Sequence, residues 1–351
     1  MSWPSFWLKR DDWRSRVLSP LGWLTCHTAQ RRLQHFRNAF IPDFPTAGVV
    51  VVGNITVGGS GKTPVLLALS RLLTEQGIAH GIVSRGYGGR AAQYPLHVTA
   101  DTDPALAGDE PVLLAQATGV PVVVDPRRDR AVWTLLEANP QVRIVLSDDG
   151  LQHYRLPRDY EIAVVDARVG LGNGACLPAG PLREPVNRLQ QVDAVLVQGE
   201  AAFSGVQAQP FTLEPVAFRS LEDGHCVPLD NFSGQSAAAL AGIGQPERFF
   251  DTLRRLGVQL ARTEPLPDHA PAEAIRAALA SHDGPWLMTA KDAVKCPKPL
   301  ANVWALEVEA RLADAFRTAF LQRIDQLLEE KYEPTPAGNS GLPAHQDEAG
   351  V

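Results

Sequence analysis

Cysteine is scarce in this chain: Cys26, Cys176, Cys226 and Cys296 are scattered over 351 positions with no close pair. That scatter argues against a zinc site or a redox dithiol, suits a reducing compartment, and leaves packing as the expected role of all four. Long apolar runs are missing too. No stretch approaches the roughly 18 apolar residues that a spanning helix needs, and near the N-terminus the charges follow the apolar residues instead of preceding them. Neither a transmembrane helix nor a secretory signal fits. What remains, 45% hydrophobic and 21% charged, is ordinary for a soluble globular protein, and the length suggests two domains.

Charge is unevenly placed. Residues 1–40 hold Lys9, Arg10, Arg14, Arg16, Arg31, Arg32 and Arg37 against Asp11 and Asp12, so this segment is +5 and the remainder −11 within a formal charge of −6. The same segment carries Trp3, Trp7, Trp13 and Trp23, four of the seven tryptophans, beside Phe6, Leu18, Leu21 and Leu24. Aromatic rings next to cations favour a membrane–water interface. A packing arm whose tryptophans cover the main domain would have the same composition, and the residues alone leave both readings open. Ser19-Pro20 predicts a helix start.

Directly after the apolar run at residues 48–52 comes Thr56-Val57-Gly58-Gly59-Ser60-Gly61-Lys62-Thr63. This is the pattern of a strand delivering a phosphate-binding loop into a helix. Glycines let backbone N–H groups approach phosphate, Lys62 can reach the β- and γ-oxygens, the Thr63 hydroxyl can ligate Mg²⁺, and the helix N-terminus faces the anion. The strict pattern has glycine where Thr56 stands.

Beyond the loop, short Val/Ile/Leu-rich strands alternate with helical spacing. Strands are expected near 48–53, 80–85, 120–125, 142–147, 160–166 and 192–198, with helices near 62–76, 109–118 and 127–138. That rhythm predicts an α/β fold of P-loop NTPase type, a mostly parallel sheet with helices on both faces, joined to a smaller α/β second domain. The organisation expected is a basic, aromatic N-terminal segment (1–40), a core domain (41–205), a C-terminal α/β domain (206–332) and a disordered tail (333–351). In the C-terminal part, strands are expected over 211–220, 286–291 and 303–308, with helices near 246–257 and 313–331.

Three further constellations fit phosphoryl chemistry. The strand of residues 143–147 ends in Asp148-Asp149-Gly150, carboxylates placed to hold Mg²⁺ between phosphates, although which of the two faces the metal is not readable. Gly108-Asp109-Glu110-Pro111 opens a helix at the same rim, where a carboxylate could accept the proton of an attacking hydroxyl. Ser84 to Gly89 brings Arg85 to that rim, and Arg183 in Leu182 to Pro185 could stabilise charge on a transferred phosphoryl group.

Taken together, the blocks Gly53 to Pro64, Ser84 to Gly89, Gly108 to Pro111, Ser147 to His153 and Leu177 to Pro185 resemble the tetraacyldisaccharide 4'-kinases, the lipid A biosynthetic kinases of Gram-negative bacteria. The resemblance continues through Gly242 to Phe250, Pro267-Asp268-His269 and Thr289 to Lys295, and Thr at position 56 is itself the family habit. Ala290 and Ala270 depart from the family pattern.

The resemblance implies ATP- and Mg²⁺-dependent transfer of the γ-phosphate to the 4'-hydroxyl of a tetraacylated glucosamine disaccharide 1-phosphate. It assigns Asp109 as base and His269 as its partner, with Arg183 on the phosphoryl group. Thr56, Gly58, Gly59, Ser60, Gly61, Lys62 and Thr63 would hold the nucleotide, and Thr63, Glu110, Asp148 and Asp149 the metal. Arg85, Arg130, Gln152 and His153 would contact the lipid headgroup and its 1-phosphate. Because the acylated substrate stays in the bilayer, the resemblance also implies peripheral attachment to the cytoplasmic face of the inner membrane, with neither nucleic acid nor an obligatory protein partner. Two rivals share the loop: a membrane-recruited switch ATPase, and a kinase of a soluble cofactor precursor, which the N-terminal segment disfavours.

Overall fold

The structure is a computed structural model that describes residues 3–39, 44, 46–297 and 299–332; the tail expected to be disordered, 333–351, lies outside the described residues. A long helix, α1 (Trp13–Asn38), precedes β1 (Gly48–Gly53), α2 (Lys62–Glu75), β2 (His80–Ser84), β3 (Leu96–Val98) and α3 (Pro104–Ala107). Next come α4 (Asp109–Thr118), β4 (Val122–Val124), α5 (Arg128–Ala138), β5 (Ile144–Asp148), β6 (Tyr160–Asp166) and β7 (Ala194–Gln198). The second half runs β8 (Ala208–Ser220), β9 (Cys226–Val227), β10 (Ser236–Ala241), α6 (Pro246–Arg255), β11 (Gln259–Pro265) and α7 (Ala272–Leu279). It closes with β12 (Trp286–Thr289), α8 (Ala290–Ala293), β13 (Val303–Leu312) and α9 (Asp314–Tyr332).

Among the described residues the strands form one sheet in the order β11-β10-β12-β13-β8-β7-β6-β1-β5-β2-β4-β3, with β9 paired to β8. Pairing is parallel except at β3–β4, β8–β9 and β8–β13. The expected fold class holds. The first-half strands fall where the hydrophobic runs put them, because a parallel strand covered on both faces must be apolar along its whole length. β1 shows the consequence: Val50 and Val52 point to a core shared with Leu66 and Leu69 of α2, whereas Val49 and Val51 point to the opposite core with Val132 and Leu135 of α5.

In the second half the same alternation divides Ala237, Ala239 and Ala241, which meet Phe249 and Phe250 of α6, from Ala238 and Leu240, which meet Ile275 of α7. Neither β11 nor α7 was expected from the sequence; β11 is an edge strand with mostly exposed or half-buried residues, so it carries no apolar run. The chain then returns. The apolar face of α9, Phe316, Phe320, Ile324 and Leu327, packs into the first-half core beside Val50 and Leu69, where Phe211 of β8 and Ala310 of β13 join it. Together with the long antiparallel pair of β8 and β13, this ties the two halves through one continuous sheet.

Two N-terminal expectations are corrected. The helix begins at Trp13, capped by the Asp12 side chain, and Pro20 lies inside it. Proline has no N–H for the Arg16 carbonyl, and the Ser19 hydroxyl donates to that oxygen at 2.8 Å instead. The cysteines are not all packing residues, since Cys26 of α1 and Cys176 form a disulfide across 150 positions of sequence, which linear spacing could not reveal. Cys296 is buried and Cys226 exposed, both as free thiols.

The aromatic residues of the segment split between its two readings. Trp3 donates its indole N–H to the Val57 carbonyl of the glycine-rich loop (3.1 Å), and Trp7 donates to Pro178 (3.0 Å). These are packing residues. Trp13 (70% exposed), Val17, Leu21, Trp23 and Leu24 instead project from α1 into solvent. Among the described residues no helix is long and apolar enough to cross a membrane.

Candidate active site

The site assembles at the C-terminal ends of β1, β5, β2 and β4, where an open α/β sheet leaves loops free to hold a ligand. The glycine-rich loop leaves β1 and enters α2 at Lys62. Gly61 takes φ +88°, and a Cβ there would stand 3.3 Å from the Phe211 ring, so the turn has room for glycine only. Thr56 is different: buried, with no left-handed backbone, it bridges Leu182 in extended pairing, a conformation that a β-branched residue favours. The strict glycine is therefore unnecessary at that position.

The segment 177–183 braces the loop from outside. Val57 N–H donates to Pro181 (2.9 Å), Arg183 N–H donates to Ile55 (2.7 Å), and the Asn54 amide donates to Gly58 (3.3 Å). Beneath, Gln152 Nε2 donates to Asn54 O and to Glu184, whose carboxylate holds Arg188. The Gln152 carbonyl accepts from Arg183 (3.3 Å). Both ends of Gln152 are thus committed to positioning the loop and Arg183.

Lys62 and Arg183 converge on one carboxylate. Lys62 Nζ lies 3.5 Å from Asp149 Oδ1, and Arg183 donates to both Asp149 oxygens at 3.2 and 3.0 Å. Burial alone would raise the Asp149 pKa, but these two cations outweigh it and hold the carboxylate below its ordinary range. Its backbone sits at φ +45°, a strained conformation for a non-glycine residue and a frequent mark of a functional turn.

Asp148 is the complement. Fully buried at the end of β5, it accepts from Ser84 (3.1 Å) through Oδ2, while Oδ1 and the nearby loop hydroxyl Ser60 Oγ have no hydrogen-bond partner. Burial, then the Glu110 and Asp149 carboxylates, push Asp148 up to about 7. An orphaned carboxylate oxygen beside a second carboxylate is a fitting donor for a hard cation. Among the described residues no three acidic, histidine or cysteine side chains cluster tightly enough to hold a metal by themselves. Mg²⁺ commonly takes only one or two carboxylates and completes its shell with phosphate and water, so the donor set suits an ion that arrives with a nucleotide.

The third constellation sits at the mouth. Gly108 (φ +91°) turns the chain into α4, and a Cβ there would lie 2.4 Å from the Tyr87 carbonyl, which joins the Arg85 loop closely to the helix start. Asp109 and Glu110 then occupy the first turn, where the helix dipole favours carboxylates. From the second half, His269 Nδ1 meets Asp109 Oδ2 at 3.0 Å, and the Tyr87 ring lies edge-on to the imidazole. Burial would raise the Asp109 pKa, but the His269 hydrogen bond and the Lys295 ammonium lower it below its ordinary value.

The four expected headgroup contacts separate. Arg85 is exposed and makes no side-chain hydrogen bond or ion pair among the described residues. Arg130 is held by Asp125, which accepts from its Nε and Nη2. Gln152 is committed as above. His153 is pushed down to about 4 by burial and then by Arg128, and its Nε2 accepts from the Arg128 backbone N–H (3.3 Å), so it is a neutral support and not a cation. Sequence reading missed Arg128. This buried guanidinium donates to the Asp148 carbonyl (3.2 Å), its Nε lacks a partner, and burial lowers its pKa to about 10. Its signal is the arginine-rich start of α5, Arg127, Arg128 and Arg130, in which spacing alone does not mark Arg128 as the buried one.

Known proteins of similar sequence carry the same chemistry in their names. Residues 14–325 match the family described as tetraacyldisaccharide-1-P 4'-kinase. A tetraacyldisaccharide 4'-kinase from Alkalilimnicola ehrlichii is 47% identical over 90% of this chain and 94% of its own length. Another, from Pseudomonas aeruginosa, is 45% identical over 89% of this chain and 94% of its own. Among solved structures, the "apo" form of LpxK from Aquifex aeolicus in complex with ATP has a TM-score of 0.78 and 27% identity, covering 90% of this chain and 99% of that one.

Proposed function

The chain belongs to the tetraacyldisaccharide 4'-kinase family of phosphotransferases, and from that premise we propose that Asp109, partnered by His269, deprotonates the 4'-hydroxyl of a tetraacylated disaccharide 1-phosphate as it attacks the γ-phosphate of ATP. The observation that carries this reading is the 3.0 Å contact between Asp109 and His269, residues 160 positions apart that meet on the rim shared with the phosphate loop. A switch ATPase would instead position a water as the nucleophile. In the kinase, the carboxylate takes the hydroxyl proton as the phosphoryl group leaves ADP.

The other roles follow from position. The loop N–H groups, Lys62 and Thr63 cradle the triphosphate, and Arg183 moves from Asp149 to the transferring group, where its charge is needed. Thr63, Asp148 and Asp149, with Glu110 nearby, would hold Mg²⁺, which would supply positive charge to the phosphates as the transfer proceeds. Arg85, unpaired among the described residues, meets the anionic headgroup, and Arg130, Gln152 and His153 support that side. Incubation with γ-labelled ATP and the disaccharide 1-phosphate lipid in detergent should place label at the 4' position. Rapid ATP hydrolysis without lipid, and no labelled glycolipid, would point to the switch ATPase instead.

Peripheral attachment to the cytoplasmic face of the inner membrane belongs to the same reading. Trp13, Val17, Leu21 and Leu24 recur at spacings that share one helical face, and all four are more than half exposed. Each CH₂ buried in lipid contributes about 0.8 kcal/mol, so the acyl chains stay in the bilayer and the site must come to them. Changing Trp13, Val17, Leu21 and Leu24 together to serine should release most of the protein from anionic vesicles in a sedimentation assay, while turnover in detergent stays close to normal. Unchanged co-sedimentation would refute this docking face. Trp3 and Trp7 are left intact in that variant because they hold the phosphate loop and the 178 turn.

A further inference from the structure

The Thr289 to Lys295 block has so far no part in the transfer, yet it turns two lysines toward the first half of the chain. Lys295 is almost completely buried, its Nζ 3.1 Å from Asp109 Oδ2 and 3.7 Å from Asp292 Oδ1. One helical turn earlier, Lys291 Nζ is 3.3 Å from Glu110 Oε1, Asp268 Oδ1 and His269 Nε2. Asp292, between them in sequence, accepts from Gly242 N–H (2.9 Å) and Thr289 Oγ1 (2.6 Å), so the turn that presents both lysines is itself fixed.

The donor inventory then dictates the protonation pattern. An ammonium has no lone pair, so wherever Lys291 meets His269 it donates, and Nε2 must accept. The ring proton consequently sits on Nδ1, facing Asp109. Both contacts that the second half makes to Asp109, from His269 and from Lys295, fall on Oδ2. That leaves Oδ1 to meet a reacting hydroxyl.

We propose that Lys295 and Lys291 are positioning residues for the phosphoryl transfer: Lys295 pins Asp109 through Oδ2, and Lys291, donating to Nε2, holds the His269 ring whose Nδ1–H donates to that carboxylate. The inference rests on the reading of Asp109 as the base. It also explains why the second half of the chain is part of the site: α8 and the turn after it deliver the two lysines, and His269 comes from the loop after β11.

Steady-state kinetics and ¹⁵N NMR of histidine-labelled full-length protein test it. Removing a group that orients a reacting residue typically costs about 10- to 100-fold. Lys295→Met should therefore lower kcat by that factor with KM for ATP within about twofold, and Lys295→Arg, which keeps a donor, should recover part of the loss. In an Asp109→Asn background the same Lys295→Met change should cost nothing further, since its effect runs through the missing carboxylate. Lys291→Met should move the ¹⁵N resonance of His269 Nε2 downfield, toward that of an imidazole nitrogen with no donor, and lower kcat in step. Lys295→Met with kcat within about twofold of normal, an undiminished extra loss in the Asp109→Asn background, or an unmoved His269 Nε2 resonance in Lys291→Met would each overturn the proposal. Should Lys295→Met fail to fold, Lys291→Met, more exposed, carries the test through the Nε2 resonance alone. If Asp109→Asn turns over normally, it is the base assignment that falls; if Asp109→Asn is inactive and both lysine variants behave as wild type, only the positioning role is lost.

Discussion

Asp109→Asn is expected to lower kcat about 10²- to 10⁴-fold, the range that a positioned general base contributes, while ATP affinity stays within about twofold. Asparagine keeps an acceptor for His269 Nδ1 but cannot take the hydroxyl proton. Asp109 contacts His269 and Lys295 and makes no hydrogen bond to the glycine-rich loop, so nucleotide binding has no reason to weaken. Some stability should be lost, because Lys295 is left buried with Asp292 as its remaining carboxylate. Single-turnover label transfer combined with calorimetric ATP titration separates these effects. A variant that transfers phosphate at near-normal speed removes Asp109 as the base, and one that loses ATP binding in proportion to turnover makes it a structural residue.

Lys62→Ala should be similarly severe but of opposite character. Lys62 and Arg183 share Asp149, and on the present reading both turn to the phosphates when ATP binds. Losing one preorganised cation at a site of developing charge costs about 10²- to 10³-fold in turnover, and here the loss should extend to ATP affinity as well. The fold should suffer less than at Asp109, because Arg183 alone still neutralises Asp149 through two contacts. Full glycolipid phosphorylation by Lys62→Ala would end the reading of the loop as a triphosphate cradle. Comparing the two variants is informative in itself: one should bind ATP and not transfer, the other should fail at both.

How much of this was legible beforehand depended on whether the signal was local. The run at 48–52 had to be a buried parallel strand, since five consecutive apolar residues cannot alternate between core and water. Gly58 and Gly61 announced the loop because a left-handed backbone admits little else, and both do take positive φ. Asp148 and Asp149 could be placed at a strand end, but not told apart. Their difference, one buried with an orphaned oxygen and the other claimed by two cations, arises from Ser84, Lys62 and Arg183, which lie far away in sequence. Arg128 and Arg130 pose the same problem. Two positions apart on α5, one enters the site and the other turns to Asp125.

Sequence alone therefore determined the phosphate loop, the run of parallel strands and the chemical kinds of residue at the rim, because each is written in neighbours along the chain and enforced by backbone sterics or by burial of a whole strand. Tertiary structure decided which acid is paired and which is open, that Trp3 and Trp7 face inward while Trp13 and Trp23 face out, that Cys26 finds Cys176, and that α9 folds back onto the first half. Those outcomes depend on distances between segments that lie tens to more than a hundred residues apart, and charge pairing, tautomer choice and burial are set by such distances and not by position along the chain.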